Sequence, residues 1–219
     1  SLQGVVYTQW DSGIHVIPDI MPPRHWHQQF VIDPHVRKQS AMIWTAWDPD
    51  GDVLHIIDEA EFGPEEGGME QMAAMIRVKS GAYCVDDWII DEAHAGSSQK
   101  KMDGGESIMH QLRHYGVPVR GTNVASDKSR DPGINKVREM LTPNPITKEV
   151  RLKVNRKCTR VAYQMSRWSY KRKTKVDDEG LRENLQERFK DYPDCVRYAA
   201  MAGPFNFNMV YENPLNGKW

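Results

Sequence analysis

The chain has 219 residues, of which 39% are hydrophobic and 27% are charged, a balance typical of a folded protein and not of a disordered one. This length can bury a core without disulfides and predicts one domain over residues 1–219. Its three cysteines form no closely spaced pair, which excludes a disulfide framework and a zinc knuckle and favours a reducing compartment. No apolar run approaches the roughly 20 residues that cross a bilayer, and the N-terminus carries no secretory signal.

The formal net charge of −1 conceals an uneven distribution of charge. Between residues 148 and 175 only Glu149 opposes a run of basic side chains. Such a face can neutralise DNA phosphates, but a solvated helix surface gives the same pattern, so the sequence leaves both interpretations open. The run contains Lys148, Arg151, Lys153, Arg156, Lys157, Arg160, Arg167, Lys171, Arg172, Lys173 and Lys175.

The predicted elements begin within the first 25 residues with a strand at VVYTQW, followed by an extended, proline-containing lead-in. A short buried strand, FVID, then ends at Asp33. An antiparallel hairpin follows over about 41–59, because β-branched and aromatic residues flank an Asp-Pro-Asp-Gly turn. Apolar spacing and turn residues then predict helices over 65–80, 107–115, 131–141, 159–170 and 195–202, with strands over 88–90, 117–121 and 151–154. This order predicts an α/β fold with a mixed sheet flanked by helices.

Three aspartates stand where elements begin or end. Asp33 and Asp91 each close an apolar strand, and Asp194 opens the last helix. Open sheets place their sites at such strand ends. An aspartate is also a common turn former or helix cap, so no one of the three identifies a site by itself.

Together these segments resemble a known family. The motifs are VIDPH followed by the hairpin SAMIWTAWDPDGDVLHIIDE, then WIIDEAHAG, and finally DYPDCVRYAA. They resemble the C-terminal nuclease domain of the terminase large subunit of tailed phages and herpesvirus-type viruses, from Gly4 to about Pro204. Cys195 stands where that family usually has alanine. The resemblance implies a ribonuclease-H-like fold, shared with Holliday-junction resolvases and retroviral integrases, with the last acidic ligand on a helix near the C-terminus.

The resemblance also implies a metal site. Asp33, Asp91 and Asp194 would be the catalytic, metal-binding carboxylates, and Asp191 a further metal ligand, with Glu92 and His94 as weaker alternates. Mg²⁺ or Mn²⁺ would suit these hard oxygen donors, and two ions are expected with DNA bound. The hairpin residues Glu59 and Glu61 are expected to face solvent. A zinc site is disfavoured because no glutamate follows His110 as the HExxH pattern requires, so the histidines are expected to serve packing or the surface.

The implied function is a metal-dependent endonuclease that cuts concatemeric viral double-stranded DNA during genome packaging, by two-metal in-line hydrolysis with low sequence specificity. It would act in the host cytoplasm and would not be part of the virion. The expected DNA contacts are Arg151, Lys153, Arg156 and Lys157 near the metal, and an arm formed by Lys171, Arg172 and Lys173.

The chain has no phosphate loop of the form G-x-x-x-x-G-K-[ST], so the translocating ATPase domain is expected to precede Ser1. Further partners by resemblance are the small terminase subunit and the portal, and the isolated domain is expected to be monomeric. Two alternatives remain: another ribonuclease-H-like DNA enzyme, such as a junction resolvase or transposase core, or a noncatalytic DNA-binding or portal-docking module.

Overall fold

The computed structural model describes residues 4–35, 37–91, 106–122, 131–170 and 185–204. Its strands are β1 (Val16–Ile17), β2 (His27–Asp33), β3 (Ser40–Asp48), β4 (Val53–Phe62), β5 (Val85–Ile90), β6 (Arg120–Gly121) and β7 (Leu152–Asn155). Its helices are α1 (Ser12–His15), α2 (Met69–Ser80), α3 (Ile108–His114), α4 (Asp131–Leu141), α5 (Thr159–Met165) and α6 (Asp191–Ala202). None of these helices is long and apolar enough to cross a membrane.

The strands form one mixed sheet in the order β1-β7-β4-β3-β2-β5-β6. Strand β3 is antiparallel to both of its neighbours, and every other pair is parallel. The carboxyl ends of β2, β4, β5, β6 and β7 therefore point towards the same edge. The predicted mixed α/β fold is confirmed.

The hairpin of β3 and β4 is the centre of the sheet, and it extends beyond the predicted 41–59 because Ser40 pairs with Phe62. At its turn the backbone N–H of Asp50 donates to Oδ1 of Asp48 at 3.0 Å. Asp52 has a φ of 49°, in the left-handed region that tight turns demand.

Helices cover both faces of the sheet, so the central strands are apolar on both sides. Val31 and Ile43 pack into a cluster with α4, α5 and α6, which we call the α6 face. Ile32 and Met42 pack into a second cluster with α2 and α3, which we call the α2 face. Alternate residues of one strand thus contact opposite helix layers.

The predicted N-terminal strand is wrong: Val5 forms only an isolated bridge with Ser169. Four helices have bounds that differ from the prediction, α3 by only one residue at each end. Helix α2 begins at Met69, because Gly67 has a φ of 142° and Gly68 is extended. Helix α5 ends at Met165, and Trp168 then lies fully buried while its carbonyl accepts from the N–H of Val6 at 2.8 Å. Helix α6 begins at Asp191, which places both of its acidic residues in the first turn.

Candidate metal centre

Two aspartates meet at one edge of the sheet. Asp33 is the last residue of β2, and Asp91 follows β5, with its backbone N–H donating to the carbonyl of Ile32 at 3.1 Å. Both are buried, at 0% and 3% exposure. Val31 and Ile89, two residues earlier in their strands, pack on the α6 face. Because side chains alternate along a strand, Asp33 and Asp91 are directed to that same face.

Helix α6 brings two further carboxylates to this face. Its first turn contains Asp191 and Asp194, and the helix packs against β2 and β3. The contact is close: the thiol of Cys195 donates to the carbonyl of Ala41 at 3.5 Å, and Ala41 is the β3 partner of Asp33. The positive end of the helix dipole also favours carboxylates in a first turn.

The residues Asp33, His35 and Asp191 form a group that can hold a metal ion, because one ligand atom of each lies within 4.8 Å of the others. His35 Nε2 lies 3.4 Å from Oδ2 of Asp33 and 3.2 Å from Oδ1 of Asp191. Lys38 Nζ lies 2.7 Å from the same oxygen of Asp191. Sequence reasoning did not place His35 beside the carboxylates, although its position two residues after Asp33 in VIDPH was an available signal.

The same contacts shift the pKa values of the group. Burial alone would lower the pKa of the His35 imidazole, but hydrogen bonds to Asp191 and Asp33 outweigh it and raise that pKa above its usual value. Burial alone would raise the pKa of Asp191, but hydrogen bonds from His35 and Lys38 outweigh it and lower that pKa. The cluster thus favours a negative Asp191 beside cations.

Asp194 is held by two buried cations of its own helix region. Its Oδ1 accepts from Nε and Nη2 of Arg197 at 3.2 and 3.1 Å, and its Oδ2 lies 3.6 Å from Nζ of Lys190. Arg197 and Lys190 are only 4% and 3% exposed. The pKa of the neighbouring Tyr198 phenol is raised by burial and then by the charges of Asp194, Asp91 and Asp33, so the three carboxylates act on one ring.

Arg197 is fixed by its surroundings. Its guanidinium lies 4.4 Å from the centre of the Tyr198 ring. A Cβ atom on Gly133 of α4 would lie 2.5 Å from Cγ of Arg197, a distance that side chains do not tolerate. The glycine of the Asp-Pro-Gly start of α4 therefore leaves the space that the arginine occupies.

Arg151 and Lys153, two of the expected DNA contacts, lie far from this site. Arg151 pairs with Asp52 at the hairpin turn at 3.1 Å, and Lys153 lies 3.3 Å from Glu149. Through β4 and β3, Lys153 is in register with the first residues of β2. Strand β2 has 7 residues, so its two ends are about 20 Å apart at about 3.3 Å per residue. The structure does not bring Arg151 or Lys153 to the carboxylates, and their contact with DNA stays a prediction.

The other expected DNA contacts differ in their exposure and in whether the structure describes them. Arg156 is exposed, and Lys157 lies 3.3 Å from both Oδ2 of Asp58 and the hydroxyl of Tyr83. Lys171, Arg172 and Lys173, like the alternates Glu92 and His94, lie outside the described residues.

Glu59 does not face solvent as expected. It is 8% exposed and accepts from the backbone N–H groups of Arg160 and Val161 at 2.9 and 2.8 Å, which caps the start of α5. Glu61 is partly exposed and lies 3.0 Å from Nε of Arg160. Glu59 is buried because β4 continues under α5, a packing that the hairpin pattern alone does not reveal.

Comparisons with known proteins agree with this architecture. The nuclease domain of the P22 large terminase superposes with a TM-score of 0.67 at 21% identity, covering 91% of this chain and 92% of that one. The nuclease domain of the large terminase g2p of bacteriophage SPP1, solved with bound Mn, gives a TM-score of 0.56 at 14% identity, covering 86% of this chain and 96% of that one. No protein-family model and no curated protein sequence matches the chain.

The large terminase of a thermophilic bacteriophage gives a TM-score of 0.68 at 15% identity. The match covers 89% of this chain but only 44% of that protein, so the chain spans less than half of that relative. The class that these likenesses define is a fold: a mixed α/β sheet with helices on both faces. Within that class, this chain has the fold of the nuclease domains of phage large terminases.

Proposed function

We propose that this protein is a metal-dependent endodeoxyribonuclease that cuts concatemeric viral double-stranded DNA during genome packaging. The observation that carries the proposal is the meeting of Asp33 and Asp91 at one sheet edge, under the helix turn that bears Asp191 and Asp194. Expected partners are an ATPase domain, a small terminase subunit and a portal, with a host-cytoplasmic site of action. We further infer that residues 1–219 act as one monomeric domain.

The donor set fits Mg²⁺ or Mn²⁺. Carboxylate oxygens are the ligands that both ions prefer, and an imidazole is acceptable to Mn²⁺. Asp33, Asp191 and neutral His35 would hold one ion. Asp91 and Asp194 are not part of that group, and their role as ligands of a second ion rests on the family resemblance. Bound there, divalent ions supply an activated water and a positive charge that stabilises the departing oxygen.

The chain's own side chains set the charge of the site. Arg197 donates two hydrogen bonds to one oxygen of Asp194, while Lys190 lies near the other. Asp33 and Asp91 are buried at the sheet edge, away from bulk water. Their charges are therefore screened less than those of exposed carboxylates. Phosphate contacts carry no base information, so cleavage with low sequence specificity is expected.

The test is cleavage of supercoiled plasmid with Mg²⁺, Mn²⁺ or EDTA. We expect metal-dependent nicking or linearisation that is lost in Asp33→Asn, Asp91→Asn and Asp194→Asn and retained in Asp50→Asn, a matched change in the exposed hairpin turn. Circular dichroism checks that each variant folds. A rise in melting temperature on adding Mn²⁺, absent in Asp33→Asn, reports metal binding without reference to cleavage.

Other outcomes separate the alternatives. Strong preference for branched over linear substrates would instead indicate a junction resolvase. Binding of DNA and metal with no cleavage of any substrate would favour the noncatalytic module. Cleavage that survives all three substitutions would overturn the assignment of the site.

A further inference from the structure

Four side chains form a continuous row on the surface beside α6, which we call the Arg–aromatic row. The guanidinium of Arg167 lies 4.1 Å from the centre of the Tyr163 ring. That ring meets Phe189 edge-on, with centres 5.6 Å apart. The guanidinium of Arg188 lies 4.5 Å from the centre of the Phe189 ring. The row therefore runs Arg, Tyr, Phe, Arg, with a positive charge at each end.

The row borders the candidate metal centre. Arg167 and Tyr163 belong to α5 and the turn after it, and Phe189 stands two residues before Asp191. The two segments are joined where Oε1 of Gln164 accepts the backbone N–H of Tyr192 at 3.1 Å. The row is thus fixed to the helix turn that bears Asp191 and Asp194.

The charges of the row are open to a ligand. Arg167 and Arg188 are exposed, and within the described stretches neither guanidinium is paired with a carboxylate. The nearby Arg160, in contrast, lies 3.0 Å from Glu61. Stacking on a ring uses the flat face of a guanidinium and leaves the N–H donors at its edge free, in the fork geometry that binds phosphate oxygens.

The backbone at Phe189 is unusual. Its φ of 62° lies in the left-handed region, which is unfavourable for a residue other than glycine. This conformation holds a partly exposed aromatic ring against the 49% exposed Tyr163. This hydrophobic pair is retained on the surface despite an unfavourable backbone conformation, between two arginines that no carboxylate of the described residues contacts. Such a combination indicates a contact surface.

We propose that the Arg–aromatic row binds the phosphodiester backbone of double-stranded DNA next to the carboxylates. The inference rests on the proposed nuclease function and deepens it. The carboxylates repel a DNA phosphate by Coulomb's law. The two arginines beside them offset that repulsion and raise the local concentration of DNA. The aromatic pair keeps the two arginines apart and in place, so that each contacts a different phosphate.

The test is equilibrium binding of a fluorescent duplex in EDTA, where no metal-dependent cleavage occurs, over a series of salt concentrations. We compare Arg167→Gln, Arg188→Gln and the double variant with wild type. The slope of log K against log salt concentration is negative, and each lost phosphate contact should reduce its magnitude by about 0.9. In the double variant the magnitude should fall by about 1.8. Arg77→Gln, an exposed arginine of α2 on the other side of the sheet, is the matched control and should leave the slope unchanged.

A purely structural row gives a different result. If the row only joins α5 to α6, the arginine variants and Tyr163→Leu lower the melting temperature while the salt slope stays at the wild-type value, and that overturns the proposal. Failure of the proposed nuclease function gives a result different from failure of the proposed DNA-binding row. Absence of plasmid cleavage with any metal, together with a row-dependent salt slope, retains the binding surface and removes only the catalytic role.

Discussion

Arg197 donates two hydrogen bonds, from Nε and Nη2, to one oxygen of Asp194 on the preceding turn of α6. Both residues are at most 4% exposed, so their charges are compensated by neighbouring side chains and not by solvent. The arrangement leaves the second oxygen of Asp194 facing Lys190. Arg197 thus fixes one oxygen of Asp194, and a buried ammonium lies beside the other.

Removing the Arg197 side chain should therefore destabilise the folded protein. We expect Arg197→Met to lower the free energy of unfolding by about 3–5 kcal/mol, because a buried carboxylate loses two charge-assisted hydrogen bonds. Urea denaturation measures this, with the exposed Arg77→Met as control. In an Asp194→Asn background the same change should cost much less, and an equal cost in both backgrounds would show that the pair is not the cause.

Lys190 should compete with metal. Its ammonium lies 3.6 Å from Oδ2 of Asp194 and would repel a metal ion bound at that oxygen. We expect Lys190→Gln to bind Mn²⁺ about tenfold more tightly in calorimetry, since removing like-charge repulsion worth about 1.4 kcal/mol has that effect. Lys153→Gln, at the far end of the sheet, should bind as wild type does. Binding by Lys190→Gln at the wild-type affinity would place Asp194 outside the metal site.

Glu59 should stabilise the fold through the start of α5. Glu59→Ala leaves the backbone N–H groups of Arg160 and Val161 without their acceptor, and we expect a loss of about 2 kcal/mol in the free energy of unfolding. Glu61→Ala is the matched control two residues away. It removes only a partly exposed ion pair and should cost about 0.5 kcal/mol or less. Equal losses in the two variants would contradict the capping role.

Acid should destabilise the protein partly through His55. Burial, and then the charge of Lys153, lowers the pKa of this imidazole from 6.5 to about 4. Below pH 6.5 His55 becomes protonated in the unfolded chain, whereas in the folded chain it stays neutral until about pH 4. The free energy of unfolding therefore falls as the pH drops across that interval. The full shift corresponds to about 3 kcal/mol.

The measurement is urea denaturation at pH 7 and pH 4.5 for wild type and His55→Gln. The loss of stability between the two pH values should be smaller in the variant, whereas the exposed His110→Gln should behave as wild type. An unchanged loss in His55→Gln would mean that this imidazole takes up its proton equally well in the folded chain.

The sequence by itself determined the parts of the fold that local pattern controls. Apolar runs that end in Asp33 and Asp91 marked two buried strand ends, and both are found where predicted. The spacing of Met72 and Ile76 marked the buried side of α2, and the Asp-Gly step marked the hairpin turn. These features depend on neighbours within a few residues, which a strand or helix period encodes directly.

Only the tertiary structure decided which side chains meet. The placement of β5 beside β2 aligns Asp91 with Asp33, and the placement of β7 beyond β4 puts Lys153 at the far end of the sheet from Asp33. The proximity of His35 to Asp191 and the burial of Glu59 under α5 likewise arise from packing between distant segments. Strand order and helix docking depend on the whole core. A sequence period reports which face of an element is buried, but it does not report what buries it.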